Sequence, residues 1–120
     1  MEISKRQAGD VLILSLSGDL DGRVSRETQR EILQALPSGR RVLLDLAGLG
    51  VVTSAGLRTM LQIYRQAQAL DATVALVGLT DQLRNILTAT GFLSFFAVGD
   101  SVEQGLARLG EPVGPRSGAE

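Results

Sequence analysis

Apolar residues along this chain change their spacing several times, and each change marks the start of a different element. A short polar-rich strand begins at Ile3, Ala8-Gly9-Asp10 supplies turn residues, and Val11-Leu12-Ile13-Leu14-Ser15-Leu16 is aliphatic enough for a central strand. The first two strands are expected to form a hairpin. Over residues 24–36 the spacing becomes helical, with Ile32, Ala35 and Leu36 on one face and Arg26, Glu27 and Arg30 on the other, until Pro37-Ser38-Gly39 stops it. Residues 41–46, Arg-Val-Leu-Leu-Asp-Leu, read as a strand covered on both faces. Strand, helix and strand then make a right-handed crossover with the two strands parallel.

Helical spacing returns at Leu57, Met60, Leu61, Tyr64 and Ala67, and Ala69-Leu70-Asp71-Ala72 links this helix to a strand at residues 73–77. Leu79-Thr80 leads into a helix carrying Leu83, Ile86 and Leu87. Gly91 is placed as its C′ residue, with Phe92 as the apolar contact of the stop, and a short strand is expected around residues 95–98. Asp100 or Ser101 caps a last helix, Glu103 or Gln104 completes a capping box, and Val102, Leu106 and Leu109 face inward. Residues 111–120 are rich in Pro and Gly without periodicity and read as a mobile tail after a domain of residues 1–110. The order ββαβαβαα or ββαβαβαβα predicts one α/β domain, a mixed four- or five-stranded sheet with about four helices.

Composition narrows the chemistry. Of 120 residues, 44% are hydrophobic but only Tyr64, Phe92, Phe95 and Phe96 are aromatic, so the core is aliphatic. Twelve basic and thirteen acidic residues leave a net charge of −1 with no long run of either sign, which argues against a nucleic-acid partner. Without Cys there are no disulfides or thiolate metal sites, and without His there is no Ser-His-Asp triad and no histidine-ligated zinc. The N-terminus lacks an apolar signal region and no apolar stretch is long enough to cross a bilayer, so a cytoplasmic location without direct membrane insertion is expected.

The richest stretch is Asp45-Leu46-Ala47-Gly48-Leu49-Gly50-Val51-Val52-Thr53-Ser54-Ala55-Gly56-Leu57-Arg58, where a strand gives way to small residues just before a helix. Ser54 falls at or next to the N-cap. Free N–H groups and the positive end of the helix dipole favour an anion there, so a phosphoserine is locally tolerated; an ordinary helix cap uses the same residues. Gly18-Asp19-Leu20-Asp21-Gly22 leaves a second strand, and if the strands are neighbours Asp21, and as a second candidate Asp19, is expected near the Ser54 hydroxyl. An Asp followed by Gly is also a common turn former. Asp45, in an apolar strand, needs partners, and the backbone N–H groups of residues 48–54 are the expected donors. Asp19, Asp21 and Asp45 are a poor magnesium set because nothing supplies a phosphate, so neither metal nor cofactor is expected. No phosphate-binding glycine loop, Gly-x-Gly-x-x-Gly or Gly-x-Ser-x-Gly motif is present. Ser54 has no visible activating base and reads as a substrate, not as an enzyme's nucleophile. Arg58, Gln62 and Arg65 share the outward face of the following helix, either a solvated stripe or a docking face.

Gly18-Asp19-Leu20-Asp21, Thr53-Ser54-Ala55-Gly56-Leu57-Arg58, Ala75-Leu76-Val77-Gly78-Leu79-Thr80 and Thr90-Gly91-Phe92 together resemble the STAS family, over residues 3–109. Its stand-alone bacterial members, the anti-sigma-factor antagonists, are the best match. The resemblance implies that Ser54 is phosphorylated by a partner kinase, and that the acidic position near the phosphoserine is Asp21. Many members carry Asp immediately before that serine; Thr53 here departs from the pattern and is a second, lesser candidate acceptor. It further implies a switch: the unmodified domain binds an anti-sigma factor, a GHKL-type serine kinase, and frees a sigma factor, phosphorylation reverses this, and a serine phosphatase resets it. ATP and Mg²⁺ then belong to the kinase. The partner-binding set is Asp19, Asp21, Gly22, Thr53, Ser54, Ala55, Gly56 and Arg58. The alternative from the same resemblance is a constitutive scaffold or an accessory subunit of a lipid ABC transporter or stress-signalling complex.

Overall fold

The computed structural model describes residues 2–21, 25–35 and 41–110. The chain opens with β1 (Glu2–Ala8) and β2 (Val11–Leu20), paired antiparallel from Glu2 opposite Ser17 to Ala8 opposite Val11, the expected hairpin. Next come α1 (Ser25–Ala35), β3 (Arg41–Val52), α2 (Ser54–Ala69), β4 (Thr73–Val77) and α3 (Asp81–Thr90). A 3₁₀ turn (Phe92–Phe95), β5 (Ala97–Gly99) and α4 (Val102–Gly110) complete it. The five strands lie in the order β1-β2-β3-β4-β5, all parallel beyond the first pair. Each strand therefore pairs with its sequence neighbour, and the sheet is mixed as its pattern predicted.

Strand alternation divides the core between the two faces of the sheet. Leu14, Leu16, Val42, Leu44, Leu46, Val74 and Leu76 pack with Ile32 of α1, Met60 and Ile63 of α2, and Leu83 and Leu87 of α3. On the opposite face Val11, Ile13, Leu43, Ala75 and Val77 pack with Leu109 of α4, and Val102 and Leu106 lie against them. Arg41 ties α4 down by donating from Nη1 to the Leu109 carbonyl at 3.0 Å. Gly105 lets α4 sit close, because a Cβ there would lie 2.5 Å from Val77 Cγ1 and 2.7 Å from Leu43 Cδ1.

Helix ends follow the local chemistry. Thr80 caps α3 by accepting from the Leu83 N–H at 3.1 Å, and Gly91 ends it at φ 80°, the left-handed stop expected of a C′ glycine. Ser101 Oγ accepts from the Gln104 N–H at 3.2 Å, while Gln104 Oε1 accepts from the Asp100 N–H, so the predicted box closes one residue further back.

Three expectations are corrected. β2 and β3 run on to Leu20 and Val52 instead of stopping near Leu16 and Leu46, because Leu20 pairs with Val52 and holds both strand ends in the ladder. The strand expected around residues 95–98 is a 3₁₀ turn through Phe95 followed by β5. Asp45 is half-buried, and its Oδ1 accepts from the Ala47 N–H two residues on at 3.1 Å, not from the segment 48–54. Leu36, the Pro37-Ser38-Gly39 stop, Val24, Gly22 and the segment 111–120 lie outside the described residues.

Candidate functional site

Two irregularities in the β2–β3 ladder build the site. Ser15 opposes Asp45 and Ser17 opposes Gly48; Gly18 opposes Leu49 and Leu20 opposes Val52, so β3 carries an extra residue at each place. Such bulges bend a strand and re-aim its side chains. The second one delivers Gly50 and Val51 to the exposed end of the sheet. There the Asp19 carboxylate accepts from the Val51 N–H at 2.8 Å, across 32 residues of sequence. A Cβ on Gly50 would lie 2.5 Å from that same Asp19 oxygen.

Thr53 joins this strand end to α2. Its N–H donates to the Leu20 carbonyl at 3.1 Å, and its carbonyl accepts the first helical bond from the Leu57 N–H at 2.8 Å. Its extended backbone (φ −91°, ψ 176°) and its Oγ1, which accepts from the Gly56 N–H at 3.3 Å, make it the N-cap. The same hydroxyl donates toward the Leu20 carbonyl at 3.4 Å. Gly56 allows the approach of α2 to β2: a Cβ there would meet the Leu20 carbonyl oxygen at 2.2 Å, a separation no side chain tolerates.

Ser54 is therefore the first helical residue, next to the cap and exposed. Its own N–H and that of Ala55 belong to the first turn, where helix geometry provides no intrahelical acceptor. The first turn of α2 carries no acidic residue of its own, so any charge that offsets the positive end of the dipole comes from β2. Arg58, also exposed, lies four residues on and so on the same side of the helix. Ala55 and Asp21 are half-buried, Asp21 immediately after the Leu20 that receives Thr53; Gly22 is outside the described residues. The structure thus brings Asp19, Asp21, Thr53, Ser54, Ala55 and Gly56 to one end of the β2–β3 pair. Arg65 is exposed two turns along α2 and Gln62 half-exposed between, as the helical wheel placed them.

Sequence reasoning passed over Val51. It is 58% exposed, the large apolar side chain left open to solvent among the described residues. Within the run Gly50-Val51-Val52 it reads as one more strand residue; its place in the bulge between Leu49 and Val52 turns it outward. Among the described residues no three His, Cys, Asp or Glu side chains gather to hold a metal, and no helix is long and apolar enough to cross a membrane.

The family model of the STAS domain matches residues 2–105. The chain belongs to the STAS family. A Bordetella bronchiseptica relative, BtrV, described as a candidate anti-sigma factor antagonist, is 31% identical over 108 residues, covering 89% of this chain and 93% of its own length. Among solved structures, a candidate anti-sigma factor antagonist of Thermotoga maritima superposes with a TM-score of 0.82 at 14% identity, covering 91% of this chain and 95% of that one. The anti-sigma factor antagonist SpoIIAA in its unphosphorylated form superposes at 0.71 with 15% identity, covering 89% and 95%. At those identities the structural likeness is one of fold; the family rests on the domain match and the Bordetella relative.

Proposed function

We propose that this STAS protein is an anti-sigma factor antagonist switched by phosphorylation of Ser54. One observation carries the reading: the cap of α2 is made by Thr53, which leaves the neighbouring Ser54 hydroxyl exposed and, among the described residues, without a hydrogen-bond partner. The 31% identical relative described as an anti-sigma factor antagonist, and SpoIIAA, whose form is specified as unphosphorylated, support it.

In the unmodified state the partner, an anti-sigma factor acting as a GHKL-type serine kinase, docks on the sheet end formed by Asp19, Asp21, Val51, Ser54 and Arg58. Val51 supplies the apolar contact and Asp19 holds its backbone. The kinase brings ATP and Mg²⁺. The Ser54 Oγ–P bond forms as the bond from the γ-phosphorus to the β,γ-bridging oxygen breaks; ADP leaves, and the hydroxyl proton passes to a base on the kinase. The product carries about −1.5 to −2 charge beside the first-turn N–H groups of Ser54 and Ala55 and within a turn of Arg58, so it is tolerated within this chain. At the interface the same charge must be desolvated or repelled. A cost of about 3 kcal/mol weakens binding about a hundredfold. The partner then returns to its sigma factor until a serine phosphatase removes the phosphate by hydrolysis.

The test is incubation with the cognate kinase and Mg-ATP, followed by fragmentation of the tryptic peptide 42–58, which Arg41 and Arg58 delimit. One phosphate on Ser54, with Ser54→Ala binding constitutively and Ser54→Asp weakly, is the expected result. Phosphate on Thr53 alone, or equal affinity of the two variants, would overturn the reading.

A further inference from the structure

The two edges of the sheet differ in a way the Ser54 site does not use. β1 carries exposed Glu2, Lys5, Arg6 and Gln7, the charged edge that discourages strand pairing. β5 is Ala-Val-Gly, pairs among the described residues with β4 alone, and bears no charge. Alternate N–H and C=O groups of such an edge point away from the sheet without a ladder partner. Residues 96–100 all line one groove of about 620 Å³. α3 and the 3₁₀ turn form one wall and α4 the other, with Phe96, Leu93 and Val98 supplying apolar surface.

Two guanidinium groups reach this groove from different helices, Arg84 from α3 and Arg108 from α4. Arg84 Nη2 lies 3.6 Å from Asp100 Oδ1, a loose pair whose carboxylate side chain is 85% exposed. Arg108 is exposed and has no carboxylate within ion-pair distance among the described residues. The neutral polar groups there are already engaged: Thr88 Oγ1 with the Arg84 carbonyl at 2.7 Å, Ser94 Oγ with the Gly91 carbonyl at 3.0 Å, and the Gln104 amide with the Asp100 N–H. The Phe96 N–H also donates to the Leu93 carbonyl, so what the groove still offers is the backbone edge of residues 97–99, an apolar floor and an excess of positive charge.

We infer that β5 is a strand-addition site for an extended acidic peptide segment of a partner protein. The peptide backbone pairs with β5 as a sixth strand, alternate apolar side chains enter the groove over Phe96 and Val98, and Asp or Glu side chains meet Arg84 and Arg108. This site is on the far edge of the sheet from β1 and shares no residue with the Ser54 site, so the two readings fail independently.

The experiment uses the full chain and a phage library of random linear decapeptides. Selected peptides should be rich in Asp or Glu alternating with apolar residues and should shift the backbone amide resonances of residues 96–100. Binding should fall at least about tenfold in the Arg84→Glu/Arg108→Glu double variant, since each charge-assisted contact carries that order of affinity. The same variant should gain affinity for peptides in which Lys replaces the acidic residues, a reversal that misfolding cannot produce. Selected peptides that shift amides elsewhere, equal binding by the double variant, or the failure of any acidic peptide to bind would overturn the inference. So would concentration-dependent shifts at residues 96–100 without peptide, which would assign the edge to a second copy of this chain, or equal shifts with acetate alone, which would reduce it to a carboxylate site.

Discussion

The Asp19 carboxylate and the Val51 amide meet at 2.8 Å across two adjacent strand ends. Because Gly50 and Val51 form the second bulge, between Leu49 and Val52, they have fewer ladder bonds to hold them than the strand behind. Asp19→Ala should therefore raise hydrogen exchange at the Val51 amide and lower stability by about 1 kcal/mol, the usual range for one exposed hydrogen bond. Asp19→Asn, which keeps an acceptor, should recover most of the protection. Unchanged exchange at Val51 in the alanine variant would show that the bulge is held by something else.

Thr53 and Ser54 are neighbours with separable duties, and their alanine variants should separate them. Thr53→Ala removes the acceptor of the Gly56 N–H and the contact to Leu20, and should cost about 1 kcal/mol in urea denaturation, as N-cap losses do. Ser54→Ala, at an exposed first-turn position, should stay within about 0.5 kcal/mol of the parent. Partner binding should show no parallel trend, with Ser54→Asp producing the large loss at nearly native stability. If Ser54→Ala proves as destabilising as Thr53→Ala, Ser54 has a structural role after all.

The elements legible beforehand were those whose hydrophobic period is unbroken: the hairpin, the crossover through α1, α2 and α3, and the Gly91 stop. Less legible were features created by contacts between distant residues. Gly48-Leu49-Gly50 reads as a loop because glycine interrupts the alternation, yet pairing with β2 carries the strand through it as two bulges. Asp45 reads as a carboxylate serving the segment beyond it, whereas Asp19, from the neighbouring strand, does that work because register places it opposite. The sequence leaves Ser54 at or next to the cap, and only the hydrogen bonds of Thr53 show which hydroxyl holds the helix. Val51 shows the limit most clearly, since nothing in a run of apolar residues says which one the bulge turns outward.

Gly56 and Gly105 mark the two closest helix approaches, and they should differ in cost. At Gly56 the added methyl of alanine meets the Leu20 carbonyl, part of the backbone that also receives Thr53, so α2 itself must move. At Gly105 it meets side-chain carbons of Val77 and Leu43, which can give by a small shift without moving a strand. Gly105→Ala should cost about 1–3 kcal/mol, as overpacking does, and Gly56→Ala more than that. Thermal unfolding of the two variants checks the order. Gly56→Ala should also impair partner binding beyond its effect on stability, because it displaces the turn that presents Ser54.

Val51 offers the sharpest separation of docking from folding. An exposed apolar side chain contributes little to the fold, so replacing it should leave the melting temperature within about 1–2 °C of the parent, the shift expected of a few tenths of a kcal/mol in a domain of this size. At a protein interface the same side chain, once desolvated in a partner's pocket, can carry more than 1 kcal/mol. Val51→Ser should thus weaken binding to the unphosphorylated-state partner about tenfold, and Val51→Lys further, since a partner pocket fitted to an aliphatic group must then take a charge. Because Val51 cannot accept phosphate, neither variant removes the acceptor hydroxyl. An encounter with the kinase too brief for stable docking should still modify Ser54, so phosphate should appear on Ser54 more slowly but at the same residue. Calorimetry for affinity and mass spectrometry for the modified position give the two readouts. Native affinity in Val51→Lys would mean that the partner approaches Ser54 from the α2 side, over Arg58, and not across the end of the sheet.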